Sequence, residues 1–231
     1  TVEAGRPDTL DEEKLRALKD AGVTRISINP QTFSDSVLSA IGRSHTAEET
    51  VEKYLLARRL GFDNINMDFI AGLPTDTVES FKESLKKAVE LCPENITVHT
   101  LALKRSATIV TENETSSITG DTEEMVEFSN KILRENGYTP YYMYRQSKSV
   151  GNLENVGWCK KDSPCLYNIY MMEEIHTVLA VGGAAVTKLK DPYSDSLQRV
   201  YNFKYPYEYI TRFSEILDRK EEIRDFYKNL G

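Results

Sequence analysis

The sequence predicts an α/β protein, a partial (β/α) barrel followed by a small α+β region. Three observations predict it. Short strands of two-residue period alternate with helical patterns through the first half of the chain. The links between them are short enough to require parallel strands and right-handed crossovers. The strands also carry a polar face, whereas a parallel sheet covered on both sides is normally apolar. The stretch Asn64 to Pro74, N-I-N-M-D-F-I-A-G-L-P, has this last feature in its clearest form. Ile65, Met67 and Phe69 fall on one side of the strand and Asn64, Asn66 and Asp68 on the other. Gly72 frees φ and Pro74 ends ladder pairing before a helical pattern begins at about Thr77. Asp68 therefore stands near the carboxyl end of a strand that feeds a helix, where α/β folds bind ligands. A carboxylate there caps a turn, pairs with a buried Arg, or meets a ligand, and its neighbours favour the ligand.

In order, Thr1 to Glu3 reads as the end of a strand entering a Gly5-Arg6-Pro7 turn. Thr9 and Glu12 have capping-box spacing for a helix that stops at Gly22. Val23 to Asn29 is a strand with Ile26 and Ile28 on one face and Arg25, Ser27, Asn29 and Gln31 on the other. Ser34 to Ile41 is a short helix ending at Gly42-Arg43. Thr46 and Glu49 open another helix, which reaches Leu60-Gly61. After the Asp68 strand, a helix from about Thr77 to Leu91 is closed by Pro93. Ile96 to Leu101 is a strand with Thr97 and His99 on one side. Together Asn29, Gln31, Asn66, Asp68 and His99 give successive strands one hydrophilic face, the lining of a hydrated ligand chamber.

Lys104 to Ile118 reads as a loop or insertion, and Asp121 and Glu124 cap a helix running to Gly137. Tyr138 to Arg145 is an aromatic strand, either an edge strand with half-buried rings or a ring-binding platform. The segment from Leu166 to the Gly182-Gly183 pair reads as one or two antiparallel strands. Tyr207 to Leu230 is an amphipathic helical tail broken near Lys220. These divisions place the barrel part at 1–120, an α+β region at 121–206 and the tail at 207–231.

A chain of 231 residues is long enough for a full core. Its net charge of −7 argues against a nucleic-acid partner, and no apolar run reaches membrane-spanning length. The expectation is a soluble cytoplasmic protein. Cys92, Cys159 and Cys165 are odd in number and lack C-x-x-C spacing, so free thiols in a reducing compartment are expected. His45, His99 and His176 are too scattered for a metal site. Glycine spacing gives neither a P-loop nor a dinucleotide fingerprint. The remaining polar groups at strand ends are Glu3, Gln31, Arg43 and Asp68. Arg forks to a carboxylate, Glu accepts from an ammonium or hydroxyl, and Asp accepts from ribose hydroxyls, a set suited to an amino acid joined to a nucleoside.

T-V-E-A-G-R-P at Thr1, I-S-I-N-P-Q-T at Ile26, I-G-R-S-H at Ile41 and N-I-N-M-D-F-I-A-G-L-P at Asn64, in that order, resemble the radical S-adenosylmethionine enzymes of the oxygen-independent coproporphyrinogen III oxidase family. G-N-L-E-N-V-G-W at Gly151 and Y-N-I-Y-M-M-E-E at Tyr167 resemble its coproporphyrinogen dehydrogenase branch, and the likeness runs to about Lys188. It implies the C-terminal half of a radical-SAM barrel. Glu3 would contact a cluster-bound S-adenosylmethionine, which Val186 would also approach. Gln31, Arg43, Asp68 and the Ala102 backbone would contact a second one or whatever else occupies that chamber. In such enzymes a [4Fe-4S] cluster cleaves S-adenosylmethionine, an adenosyl radical takes hydrogen from a substrate propionate, and loss of carbon dioxide leaves a vinyl group. The partners implied are a tetrapyrrole substrate and an electron donor, with no nucleic acid and no membrane. Lys104, Arg105 and Arg145 would meet propionates, or serve only as solvated charges.

The family's C-x-x-x-C-x-x-C motif is absent from this chain, so the cluster is expected on a preceding segment of two βα units, and the chain is expected to be inert by itself. The resemblance also implies alternatives, a haem-binding delivery protein or a radical enzyme acting on haem. The delivery relatives resemble one another in H-N-x-x-Y-W, where this chain reads Y-N-I-Y-M-M from Tyr167.

Overall fold

Alternating apolar side chains and well-capped helices build the first part of the chain. A computed structural model describes residues 1–102, 115–147 and 149–229. Strand β1 (Val2–Gly5) leads through a 3-10 turn at Pro7–Thr9 into helix α1 (Glu12–Asp20). The cap of α1 is Asp11, whose Oδ1 accepts from the Lys14 N–H at 2.7 Å, rather than Thr9. The proline-initiated turn uses Thr9, so the helix starts one cap later. Then follow β2 (Ile26–Ile28), α2 (Asp35–Ala40) and α3 (Ala47–Arg59), the last opened by the Thr46 and Glu49 capping box that the sequence predicts. Strand β3 (Ile65–Ala71) feeds α4 (Val78–Leu91), and β4 (Asn95–Thr100) precedes α5 (Thr115–Glu135). The helical pattern thus begins upstream of the Asp121 cap expected from the sequence. Lys104 and Arg105 lie outside the described residues.

Strands β5 (Thr139–Tyr144) and β6 (Asn155–Cys159) return to the same sheet, whose order is β1-β2-β3-β4-β6-β5. The first four strands are parallel, β6 runs antiparallel to β4, and β5 antiparallel to β6. The aromatic strand is therefore an edge strand. One face of the sheet is packed with Ile26, Ile28, Ile65, Met67, Phe69, Ile96, Val98 and Trp158, which join Leu15, Phe81, Leu85 and Leu133 from the helices in one core. Burial of such side chains is the main stabilising term. It also fixes register, since a one-residue slip would turn the core set outward.

The chain divides into two compact units, Thr1–Pro164 and Cys165–Gly231. Strands β5 and β6, which the sequence division puts within 121–206, are hydrogen-bonded into the sheet of the first unit. In the second unit, Leu166–Glu173 is a helix, α6, where strands were expected. Its apolar residues run all round, and periodicity cannot separate that pattern from a buried strand. The hairpin β7 (Val186–Lys190) and β8 (Leu197–Tyr201) follows, then α7 (Pro206–Thr211) and α8 (Phe213–Lys228). The break in this tail falls at Arg212, not near Lys220. No helix among the described residues is long and apolar enough to cross a membrane.

Candidate functional site

The face of the sheet opposite the core is hydrophilic from edge to edge. Parallel pairing aligns Glu3 with Ser27, Ser27 with Asn66 and Asn66 with Asn95 in one row, and Asp68 with Thr97 in the next. Ser27, Asn66, Asn95 and Thr97 are buried there, so their polar atoms need protein partners. Asn95 accepts from Arg25 and donates to the Ser163 carbonyl, and the others bond along the face. Asn29 Nδ2 donates to Glu3 Oε2 at 3.5 Å, and Ser27 Oγ donates to Asn29 Oδ1. Asn66 Nδ2 donates both to Ser27 Oγ at 2.9 Å and to Asp68 Oδ1 at 2.7 Å, while its own Oδ1 accepts from Thr97 Oγ1 at 3.1 Å. His99 Nε2 lies 3.7 Å from Asp68 Oδ1, and His99 Nδ1 lies 3.3 Å from the Tyr144 hydroxyl. A continuous polar line therefore runs from Glu3 on β1 to Tyr144 on β5.

Two tyrosines of β5 close this face over the last strands. Tyr142 and Tyr144 are stacked with ring centroids 6.3 Å apart. Tyr142 pairs with Gly157, and a Cβ at Gly157 would overlap the Tyr142 ring. Glycine is required here for space. Burial pushes the Tyr142 hydroxyl far above its ordinary value, with the nearby Asp68 charge adding to the rise and a hydrogen bond to Thr97 opposing it. Tyr144 is raised by burial and by the same charge.

For Asp68, burial raises the carboxyl, but the His99 hydrogen bond and charge, with bonds from Asn66 and Thr97, outweigh it and hold the group below its ordinary value. A carboxyl with a folded pKa below its unfolded one contributes stability that is complete above the unfolded pKa and lost as pH falls through the folded one. The urea midpoint of the wild-type protein should therefore fall more steeply than that of Asp68→Asn below about pH 4. Parallel acid profiles for the two proteins would contradict this electrostatic assignment.

At the carboxyl end of the strands, Arg43, Ile70, Pro74, Leu101 and Ala102 line a cavity of about 480 Å³. The α2 to α3 link brings in Arg43, which forms no ion pair among the described residues. Gln31 sits just past β2, its N–H donating to the Asp68 carbonyl and its own carbonyl accepting from the Ile70 N–H, at 3.0 and 3.1 Å. Its φ of 69° is unusual for a non-glycine residue, a strained conformation held beside the chamber. Glu3 and Asp68 are joined by the polar line, and Arg43 and Ala102 share the cavity.

Val186 opens β7 in the second unit, opposite Tyr201. Arg145 pairs with Glu154 at 3.1 Å and lines a different cavity with Met143 and Trp158, which belong to the core side of the sheet. Asn66 was expected only as part of the chamber lining, and Ser27, Tyr142 and Tyr144 were not singled out as site residues from the sequence. For the tyrosines, the usable signal was alternation within β5.

Among the described residues no group of three or more His, Cys, Asp or Glu side chains could hold a metal. Cys92 is exposed, and Cys159 and Cys165 are buried free thiols. These residues do not fit an iron-sulfur cluster. The carboxylates, amides and guanidinium of the polar face do fit an adenosyl amino acid.

Residues 3–88 match the model of the radical SAM superfamily. The chain is 45% identical over 222 residues to the oxygen-independent coproporphyrinogen-III oxidase-like protein HemZ of Bacillus subtilis, a match covering 95% of this chain and 44% of that protein. It is 41% identical over 103 residues to the heme chaperone HemW of the same organism, covering 45% of this chain and 27% of that one. Among solved structures, coproporphyrinogen III oxidase HemN of Escherichia coli, a radical SAM enzyme, superposes with a TM-score of 0.65 at 20% identity, over 91% of this chain and 48% of that one. The chain thus spans about half the length or less of the relatives it matches.

Proposed function

The chain belongs to the coproporphyrinogen III oxidase family of radical S-adenosylmethionine proteins, and from that membership we propose that its polar sheet face holds S-adenosylmethionine for oxygen-independent oxidative decarboxylation of coproporphyrinogen III propionates to vinyls. The observation that carries the reading is the polar line from Glu3 to Tyr144, on a sheet whose carboxyl end holds the cavity that Arg43 and Ala102 share. Asp68 accepts from ribose hydroxyls, Arg43 forks to the amino-acid carboxylate and Glu3 receives an ammonium. Ile70, Leu101 and Pro74 shield the ligand from water. Bound there, S-adenosylmethionine would supply the family's radical chemistry only in company with a [4Fe-4S] cluster, for which the described residues offer no ligand set. Glu3, Gln31, Arg43, Asp68 and Ala102 are the proposed cofactor contacts within the first unit, and Lys104, Arg105 and Arg145 the proposed substrate contacts.

A second reading, haem delivery, is supported by the heme chaperones among the relatives. The two are separated by anaerobic reconstitution of the protein expressed from its complete reading frame, followed by coproporphyrinogen conversion and a haem titration. Conversion to the divinyl product is the expected result. Stoichiometric haem binding without turnover would replace the decarboxylase reading with the delivery reading.

A further inference from the structure

The β5 side of the chamber is aromatic, and none of the proposed nucleoside contacts uses it. Strand β5 pairs Pro140 with Trp158 and Tyr142 with Gly157, which leaves Tyr141 as the extra residue of a bulge. Successive residues of a regular strand point to opposite faces. The bulge relaxes that rule, and the Tyr141 ring stands 4.8 Å from the Tyr142 ring at 64°. Tyr144 follows 6.3 Å from Tyr142, with the two ring planes within 5°. The His99 imidazole closes the row, 6.4 Å from the Tyr144 ring.

Both outer hydroxyls are tied to β4 across the width of β6, Tyr142 by a hydrogen bond to Thr97 and Tyr144 at 3.3 Å from His99 Nδ1. Two strand spacings, about 10 Å, separate β5 from β4, so each phenol must extend along the sheet rather than stand out from it. Gly157 makes this possible for Tyr142, since a Cβ there would overlap the ring. The polar tips are thus spent within the protein, while Tyr141, Tyr142 and Tyr144 stay half-buried. What the row offers a ligand is its apolar flank.

We propose that Tyr142 and Tyr144, with Tyr141 packed against Tyr142, form the surface that receives the pyrrole rings of the tetrapyrrole substrate, through offset or edge-to-face ring contacts. The inference rests on the decarboxylase reading and adds to it the place of the substrate beside the nucleoside. A porphyrinogen carries several pyrroles linked by methylene bridges, so it can lay neighbouring rings on neighbouring tyrosines. An adenosyl group has a single ring system, and its polar parts are matched at Glu3, Asp68 and Arg43.

The test is anaerobic calorimetric titration with coproporphyrinogen III of the protein expressed from its complete reading frame and left without a cluster, so that binding is read without turnover. Tyr144→Leu and Tyr142→Leu should each weaken binding by about three- to tenfold, the size of one aromatic pair. Tyr144→Phe and Tyr142→Phe, which keep the ring, should stay closer to wild type than the leucine variants do. S-adenosylhomocysteine, titrated alongside, should lose less affinity than the tetrapyrrole in each leucine variant. In carbon-13 spectra of ring-labelled tyrosine, the Tyr142 and Tyr144 signals should move with coproporphyrinogen III. Leucine variants that bind like wild type, or phenylalanine variants as weak as the leucine ones, would overturn the inference while leaving the decarboxylase reading. Equal losses for both ligands would do the same by marking a general packing role, as would tyrosine signals that answer only to S-adenosylhomocysteine. A wild type that does not bind coproporphyrinogen III would overturn both.

Discussion

Asp68→Ala and Arg43→Ala are each expected to lower the affinity for S-adenosylhomocysteine by about 10- to 100-fold, because each removes charged hydrogen bonds worth about 1.5–3 kcal/mol. Asp68 is the more demanding case, since its loss also takes one partner each from Asn66 Nδ2 and His99 on the polar face. Asp68→Asn keeps the shape of the side chain and separates lost charge from lost packing. Arg43 forms no ion pair among the described residues, so Arg43→Ala should leave the thermal midpoint within a degree or two, a shift of well under about 1 kcal/mol, while binding falls. Calorimetry on the three variants beside wild type checks the expectation. Unchanged affinity in both alanine variants would remove the chamber from the account.

The second large effect lies in packing. Gly157→Ala forces a methyl group into the space held by the Tyr142 ring, which must swing away from the polar face. Overpacking of this kind costs about 1–3 kcal/mol, measurable as a lower urea midpoint at constant slope. The displaced ring also gives up its hydrogen bond with Thr97 and uncovers the carboxylate side of the chamber. Tyr142→Ala in the same chain should restore part of the stability, because the two residues share one volume and their effects cannot be additive. Additive losses would mean that the ring and the glycine are not packed against each other.

The parts of this site that were legible in the sequence are the local ones. Alternation alone puts Ser27, Asn66, Asp68, Thr97 and His99 on one face, since side chains along a strand point to opposite sides in turn. The Thr46 to Glu49 capping box is likewise a short-range signal and appears where the spacing predicts. What the sequence did not show depends on pairings distant in the chain. Tyr144 meets His99 only because β6 crosses back beside β4 and carries β5 with it, and no local pattern specifies that return. The Gly157 and Tyr142 fit is of the same kind, a cross-strand match whose two halves are uninformative separately. Arg145, readable from the sequence either as a propionate contact or as a solvated charge, follows directly on β5 and pairs with Glu154, a partner no local pattern specifies.

The most direct measurement of the central claim, that the polar sheet face is a nucleoside chamber, is backbone amide chemical-shift perturbation of the isotopically labelled protein by S-adenosylhomocysteine. The account predicts shifts that trace the polar line and the adjoining cavity, at Asn29, Gln31, Asp68, His99 and Ala102. Shifts confined to the helix-side groove around Phe33 and Ser84, or a spectrum that does not change at saturating ligand, would contradict it.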